Sequence, residues 1–116
     1  MNIESFIAER EKQNEETLTF AGSVTKRFFS LDTQAYRDGA LSAKVKEIVG
    51  LVASLVLRCD DCIRYHLLRC HTQKVSDAEL DEALAIGLIV GGSITIPHIR
   101  RAITWWKEMK EKNLSL

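Results

Sequence analysis

Apolar residues recur every three or four positions along most of this chain, which is the period of amphipathic helices. The strongest series covers residues 43–57, which are apolar almost all round, and Ser42 stands before it as the predicted N-cap. A helix of that kind has to lie at the centre of a fold. A second helix is predicted almost directly afterwards, over residues 60–72, with Asp60 and Asp61 at its positive end.

The N-terminal part of the chain has a weaker pattern. Residues 3–31 place apolar side chains at roughly helical spacing among charged ones, which predicts two helices that break near Asn14. The charged stretch of residues 9–16 is predicted to be a solvated helix face. Residues 31–39 predict only a short helical piece, with Gly39 as its stop.

The C-terminal part has sharper helix boundaries. Ser76 and Glu79 have the spacing of a capping box, and the helix that they begin is predicted to end at the glycines of residues 91–92. Pro97 fits the first turn of a last helix, over about residues 95–110. The inner side of that helix is predicted to consist of Ile99, Ala102, Ile103 and Trp106.

These segments together predict an all-α fold, a compact bundle of five to six helices that forms one domain over residues 1–116. The tail, residues 111–116, is predicted to fray. Because neighbouring residues of a helix point in different directions, one of Trp105 and Trp106 is predicted to be buried and the other to lie at a subunit interface.

Composition narrows the possible partners. The chain has 16 Lys and Arg against 16 Asp and Glu, and zero net charge argues against nucleic acid or an anionic membrane surface as the main partner. No apolar run approaches the roughly 20 residues that span a bilayer, and the first residues lack the pattern of a secretory signal. We therefore expect no membrane partner and a cytoplasmic protein.

The three cysteines then become the main question, because without a secretory signal a structural disulfide framework is not expected. Cys59 and Cys62 form a C-x-x-C pair, and His66 follows one helical turn later on the same face. A helix N-terminus favours the reactive thiolate, and the second thiol can capture an oxidised sulfur as a disulfide. The histidine can take or return the proton.

Glu47 is a further candidate, because a carboxylate on an otherwise apolar helix is costly unless it is paired. It lies on a face with Gly50, Leu51, Ser54 and Arg58, which carries small or polar residues on an otherwise apolar helix. The helices before and after the cysteine motif are joined by almost no loop, which predicts antiparallel packing. Whether Glu47 reaches His66 stays open at this point.

Residues 41–92 resemble the carboxymuconolactone decarboxylase superfamily, specifically its alkylhydroperoxidase D-like branch. That branch is marked by a Glu, eleven residues, a C-x-x-C pair, three residues and a His, and Glu47, Cys59, Cys62 and His66 stand at that spacing. The resemblance implies an all-helical fold, a homo-oligomer that is a trimer or a hexamer, and thiol-dependent reduction of a small-molecule hydroperoxide.

The same resemblance implies a role for each residue. Cys62 would form the sulfenic acid, Cys59 would resolve it, and Glu47 and His66 would relay protons. No cofactor or metal is implied, and an external dithiol or a redox protein would restore the thiols. The full peroxidase has a histidine between its cysteines, where this chain has Asp61.

Other functions remain as alternatives. A thiol-disulfide oxidoreductase without strong peroxidase activity would use the same cysteine pair, and a non-catalytic oligomeric binding protein could keep the fold while its cysteines bind metal or stay idle. A zinc site would need Cys70 or His71 as its fourth ligand, but four ligands along one helix surround a tetrahedral ion poorly. Decarboxylation of a muconolactone fits less well, because the true decarboxylases do not depend on a C-x-x-C pair.

The remaining candidates have simpler interpretations. Cys70 is predicted to be a small buried apolar residue rather than a third redox thiol. His71 and His98 are predicted to be surface or capping groups.

Overall fold

The computed structural model describes residues 2–116, which form six α-helices and one short 3-10 helix. The helices are α1 (Ile3–Phe20), α2 (Ser23–Ala35), α3 (Ala43–Val56), α4 (Asp60–Thr72), α5 (Asp77–Gly91) and α6 (Ile96–Lys112), and the 3-10 helix is Ser93–Thr95. These residues contain no strand, so the predicted all-α fold is confirmed. No helix among them is both long and apolar enough to cross a membrane.

The core forms around α3 and α4. α3 packs against both α4 and α5, and α6 covers the other side of α4. The central position predicted for α3 is therefore correct. The buried apolar side chains come mainly from α3 to α6, with two from the start of α1: Ile3, Phe6, Leu51, Leu55, Ile63, Leu67, Leu68, Leu80, Leu84, Ala102, Trp105, Trp106 and Met109.

Local capping chemistry explains where the central helices begin. The Ser42 hydroxyl accepts a hydrogen bond from the Val45 amide, as predicted for an N-cap. Ser76 and Glu79 form both bonds of the capping box, at 3.1 and 2.8 Å. α5 ends at Gly91, and Gly92 then takes a φ of 83°, a conformation that favours glycine.

The N-terminal prediction is wrong in detail. α1 continues through Asn14 as far as Phe20, and the break falls at Ala21, which is extended, and Gly22, which is the N-cap of α2. α2 then runs without interruption to Ala35, so residues 31–35 belong to it and the chain bends only afterwards. The charged stretch of residues 9–16 is mainly exposed, as predicted.

The C-terminal prediction needs three corrections. The buried face of α6 consists of Ala102, Trp105, Trp106 and Met109, while Ile103 is 41% exposed. Both tryptophans are buried within one chain, because the Arg64 guanidinium covers the Trp105 ring and Trp106 Nε1 donates to Asp77. The tail is packed rather than frayed: the carbonyls of Leu114 and Leu116 contact side chains of α4.

Candidate functional site

A tight turn brings α3 and α4 together. Only three residues separate the two helices, and Arg58 takes a left-handed φ of 58° that reverses the chain. The Cys59 amide donates to the Ser54 carbonyl at 3.1 Å, which ties the start of α4 to the end of α3. Glu47, near the start of α3, lies opposite Arg69, near the end of α4, so the helices run antiparallel as predicted.

The cysteine pair lies at the start of α4. Cys59 is the N-cap of that helix, Cys62 is in its first turn, and the two form a disulfide with Cα atoms 5.3 Å apart. Cys59 Sγ also accepts a hydrogen bond from the Cys62 amide at 3.2 Å. The amides at the N-terminus of a helix favour negative charge, so this position favours a thiolate once the disulfide is reduced.

Glu47 is a buried carboxylate behind the cysteine turn. Its side chain is only 1% exposed, and its Oε2 accepts a hydrogen bond from Arg69 Nε at 3.2 Å. Its Oε1 lies 3.6 Å from His66 Nδ1, and each of these two atoms is buried without a hydrogen-bond partner of its own. Burying a charge is costly unless it is compensated, and here Arg69 supplies the compensation.

His66 joins the carboxylate to a tyrosine. Its ring is 10% exposed, with Nδ1 towards Glu47 and Nε2 3.4 Å from the Tyr36 hydroxyl. The Tyr65 ring packs edge-on against it at 5.0 Å between centroids. The structure therefore brings Glu47 and His66 together, which the spacing of the sequence left open.

Two residues of α3 leave space for these groups. A Cβ at Gly50 would lie 2.7 Å from His66 Cε1 and 2.7 Å from the Tyr36 hydroxyl, so a side chain there would collide with both. One turn later, the buried Ser54 hydroxyl donates to the Gly50 carbonyl at 2.7 Å. The small and polar face identified on α3 is thus the wall of the site.

Burial and the neighbouring carboxylate also affect both tyrosines. Burial, followed by the negative charge of Glu47, raises the pKa of Tyr36 above its ordinary value. The same two causes raise the pKa of Tyr65. Both hydroxyls therefore keep their protons at neutral pH and can donate hydrogen bonds.

An ion-pair cluster lies beside the cysteines. Asp60 Oδ1 is 2.6 Å from His98 Nδ1, and Asp60 Oδ2 accepts from Arg101 Nε at 2.9 Å. Burial opposes the ionisation of Asp60, but these hydrogen bonds outweigh it and lower the pKa of the carboxyl group. The Arg101 guanidinium thus offsets a negative charge that would otherwise oppose a thiolate at Cys62.

The C-terminal tail reaches the same region from the other end. Arg69, which holds Glu47, also donates through Nη1 to the Leu116 carbonyl at 2.6 Å. His71 Nδ1 lies 2.9 Å from the Leu114 carbonyl. Of the two residues predicted to be surface or capping groups, His71 therefore binds the tail and His98 pairs with the first residue of α4.

The third cysteine is separate from this chemistry. Cys70 is fully buried and free, as predicted, and burial raises the pKa of its thiol to about 12. Within residues 2–116, no group of three histidine, cysteine or acidic side chains is arranged to hold a metal ion.

The sequence missed two residues of the site, Tyr36 and Arg69. Arg69 had a usable signal, because it follows His66 by three positions and so shares its helix face, opposite a buried acid. Tyr36 had none: it lies in the bend after α2, and no spacing relates it to the cysteine motif.

A known protein family matches the part of the chain that holds this site. The sequence model of the carboxymuconolactone decarboxylase family matches residues 23–107, which include the cysteine turn and its neighbours. The chain belongs to this family. A curated relative from Cupriavidus necator, itself uncharacterized, is 29% identical over 72 residues, which are 62% of this chain and 64% of that protein.

Solved structures of carboxymuconolactone decarboxylase family proteins share the fold. A Thermotoga maritima family protein, for which a role in the antioxidative response has been suggested, is 53% identical over 94% of this chain and 92% of its own, with a TM-score of 0.90. A Legionella pneumophila family protein is 23% identical, covers 91% of this chain and 95% of its own, and has a TM-score of 0.84. The latter likeness concerns the fold alone.

Proposed function

We propose that this carboxymuconolactone decarboxylase family protein is a thiol-dependent peroxidase that reduces a small-molecule hydroperoxide. The observation that carries the proposal is the Cys59–Cys62 disulfide at the start of α4, one turn from a histidine that faces a buried carboxylate. The antioxidative role suggested for the Thermotoga relative, at 53% identity, supports the same chemistry.

The reaction has two oxidative steps. The Cys62 thiolate attacks one peroxide oxygen, a sulfur–oxygen bond forms, the oxygen–oxygen bond breaks, and the leaving alkoxide takes a proton to become an alcohol. The Cys59 thiolate then attacks the sulfenic sulfur, which forms the disulfide and releases hydroxide that is protonated to water. His66 supplies and recovers these protons, and Glu47 stabilises its charged form.

The cycle closes by reduction of the disulfide. An external dithiol or redox protein attacks one sulfur, passes through a mixed disulfide, and leaves as a disulfide while both thiols of the chain are restored. No bound cofactor is needed for these steps. A reducing compartment such as the cytoplasm would supply the reductant.

The proposal is tested by intact mass and a thiol count before and after one equivalent of hydrogen peroxide. The reduced wild-type protein is expected to lose the thiols of Cys59 and Cys62 and two hydrogens. Cys59→Ser is expected to stop at a sulfenic acid on Cys62, which dimedone traps, and Cys62→Ser is expected to stay reduced. Thiols that remain untouched at neutral pH would contradict the peroxidase proposal.

A thiol-disulfide oxidoreductase is the second candidate function, and the exposed position of Cys62 favours it. An exposed sulfur can be attacked by a large thiol or disulfide partner. This function predicts rapid reduction of the disulfide by a dithiol but no faster reaction with peroxide than a free thiol shows.

We also propose that copies of the chain assemble, as the trimer or hexamer that the resemblance implies. α2 has no buried residue, and Val24, Phe28 and Leu31 form a stripe along it that is 61 to 77% exposed. An apolar groove between α3 and α5 is a second exposed surface, lined by residues such as Val49, Ile86 and Val90. Contiguous apolar surfaces of this kind mark interfaces, and light scattering coupled to size exclusion measures the assembly.

A further inference from the structure

We infer that Tyr36 is a positioning residue for the histidine of the site, and that its hydroxyl determines which nitrogen of His66 carries the relayed proton. This inference rests on the proposed peroxidase function and deepens it. It concerns a residue outside the cysteine motif, brought into the site by the bend that follows α2.

Nδ1 of His66 faces the buried carboxylate of Glu47. This nitrogen is buried, has no hydrogen-bond partner, and lies 3.6 Å from the equally buried Oε1 of Glu47. A ring nitrogen with a lone pair would be repelled by that carboxylate oxygen, whereas a nitrogen that carries hydrogen is attracted to it. Nδ1 therefore holds its hydrogen, and Nε2 is the acceptor in the neutral ring.

The second ring nitrogen of His66 is Nε2. Its neighbour is the Tyr36 hydroxyl at 3.4 Å, and the two rings are 5.4 Å apart. Because burial and Glu47 raise the pKa of Tyr36, this hydroxyl is protonated at neutral pH and donates to the nitrogen. The hydrogen bond that Nε2 accepts from Tyr36 thus keeps the hydrogen of the neutral ring on Nδ1.

The space beside Gly50 allows this contact. Gly50 lies against both partners, and a Cβ there would come within 2.7 Å of the Tyr36 hydroxyl and of His66 Cε1. The position of the hydroxyl is thus enclosed by α3 on one side and by the imidazole on the other. Because Nδ1 is buried against Glu47, we expect the proton that His66 exchanges during peroxide reduction to enter and leave at Nε2, the nitrogen beside Tyr36.

The chain contains a matched control for this tyrosine. Tyr65 also packs its ring against His66, at 5.0 Å, and the same causes raise its pKa. Its other face is covered by the Arg10 guanidinium, 4.2 Å from the ring centroid. Tyr36→Phe and Tyr65→Phe therefore both remove a hydroxyl from a ring beside His66, but only the first removes the contact with Nε2.

The experiment measures the second-order rate constant of reduced Cys62 with cumene hydroperoxide as a function of pH. The rate constant of Tyr36→Phe is expected to fall by about tenfold, less than the roughly hundredfold or more that a proton-transfer group itself contributes, because Tyr36 acts through His66. Its pH profile is expected to differ from that of wild type, because Nε2 has lost its hydroxyl neighbour. Tyr65→Phe, with Glu47, Tyr36 and Arg69 still around the imidazole, is expected to keep both rate and profile.

A second measurement does not depend on peroxide chemistry. The ¹⁵N NMR shifts of the His66 ring in the reduced protein are expected to show hydrogen on Nδ1 and a hydrogen-bonded acceptor at Nε2. Tyr36→Phe is expected to shift the Nε2 signal, and Tyr65→Phe to leave it in place. The same spectra show whether each variant is folded.

The outcomes separate the two proposals. If wild type does not react with peroxide but the ring shifts follow Tyr36, the peroxidase proposal fails and the positioning of His66 stands. If wild type reacts and the two variants are indistinguishable in rate, profile and ring shifts, the peroxidase proposal stands and the role of Tyr36 is overturned. A histidine with hydrogen on Nε2 in the neutral wild type also overturns it.

Discussion

The two packed sides of α3 use small residues for different purposes. Towards α4 the helix presents Glu47, Gly50 and Ser54, and the absent side chain of Gly50 leaves room for an imidazole and a phenol. Towards α5 it presents Leu55, and there the missing side chain belongs to the partner helix: a Cβ at Gly87 would lie 2.5 Å from Leu55 Cδ2. The contact at Gly50 encloses polar groups, whereas the contact between Leu55 and Gly87 is apolar.

The side of α3 that faces α4 needs polar partners that the side facing α5 does not need. The α5 side is stabilised by burial of apolar surface, which needs no specific orientation. On the α4 side a carboxylate and an imidazole are buried, and burial of such polar groups is unfavourable unless they have partners. Arg69 is the partner of the carboxylate and Tyr36 is the partner of the imidazole. A fold that needed only stability would use apolar residues at Glu47 and His66, so their presence points to chemistry.

The largest expected effect comes from filling the polar side. Gly50→Ala is expected to slow the reaction of Cys62 with peroxide by about a hundredfold, a typical contribution of general acid–base catalysis, because the new methyl group displaces His66 and Tyr36. Stopped-flow measurement of thiol loss with cumene hydroperoxide checks this.

Gly87→Ala is the matched control for that change. Its Cβ collides with Leu55 in the apolar contact and should cost about 1–3 kcal/mol of unfolding free energy, as overpacking does, with little effect on the rate constant. Urea denaturation measures the free energy. If the two alanine variants lose rate equally, the contrast between the two sides of α3 does not hold.

A smaller effect, on the association of copies of the chain, is expected from a substitution in the exposed stripe of α2. Phe28→Ser should shift the assembly towards monomer, because truncation of a well-packed aromatic anchor costs about 2 kcal/mol or more of association free energy. Light scattering over a range of protein concentrations measures this. Arg27→Ser, beside it on the same exposed helix, is the control. An unchanged mass for the Phe28 variant would argue against the stripe as an interface.

The ion pairs that join the cysteine turn to α6 are expected to contribute to the free energy of unfolding. The folded pKa of Asp60 is lower than the unfolded value, so the carboxylate stabilises the fold above about pH 4 and this contribution disappears as pH falls through the folded pKa. Asp60→Asn should therefore cost about 1–2 kcal/mol at neutral pH. It should also remove part of the pH dependence of unfolding below about pH 4.

Urea unfolding at several pH values checks that expectation. Asp61→Asn, at the neighbouring exposed position, is the control and should leave the unfolding free energy within about 0.5 kcal/mol of wild type. Equal losses for both variants at neutral pH would show that the pairs with His98 and Arg101 contribute nothing specific.

The smallest effect concerns Cys70. Burial raises the pKa of its thiol to about 12, so it stays neutral and unreactive at physiological pH. In the reduced native protein, iodoacetamide should modify Cys59 and Cys62 and spare Cys70, and Cys70→Ala should leave the rate with peroxide unchanged. Peptide mass mapping detects the modified sites. Alkylation of Cys70 before unfolding would contradict its isolation.

Much of the fold could be predicted because its signals are local. The bounds of α4, the N-cap at Ser42 and the capping box at Ser76 all depend on residues within one turn of each other. The N-terminal break was misplaced because Asn14 disfavours a helix only weakly, whereas α1 ends at Ala21, which is extended, and Gly22 then begins α2 as its N-cap. The packed tail was missed because its partners are about 45 residues away on α4.

In the site, too, the residues that are close in sequence could be predicted and the long-range contacts could not. The cysteine pair and His66 lie on one helix, so their spacing was sufficient to place them on one face. The contact between Glu47 and His66 depends on how α3 packs against α4, which the spacing alone does not give. The family resemblance had indicated that the two residues act together. The position of Tyr36 depends on the bend after α2, where the sequence has no periodic pattern. Only the structure could therefore place Tyr36 beside His66.

The most direct test of the account is the rate constant of reduced Cys62 with an organic hydroperoxide in wild type and in Glu47→Gln. Wild type is expected to react faster than a free thiol, and the rate constant of Glu47→Gln is expected to fall by about a hundredfold, because a neutral group no longer stabilises the charged imidazole. A Glu47→Gln protein that is folded and reacts as fast as wild type would contradict the claim that the polar side of α3 drives the chemistry.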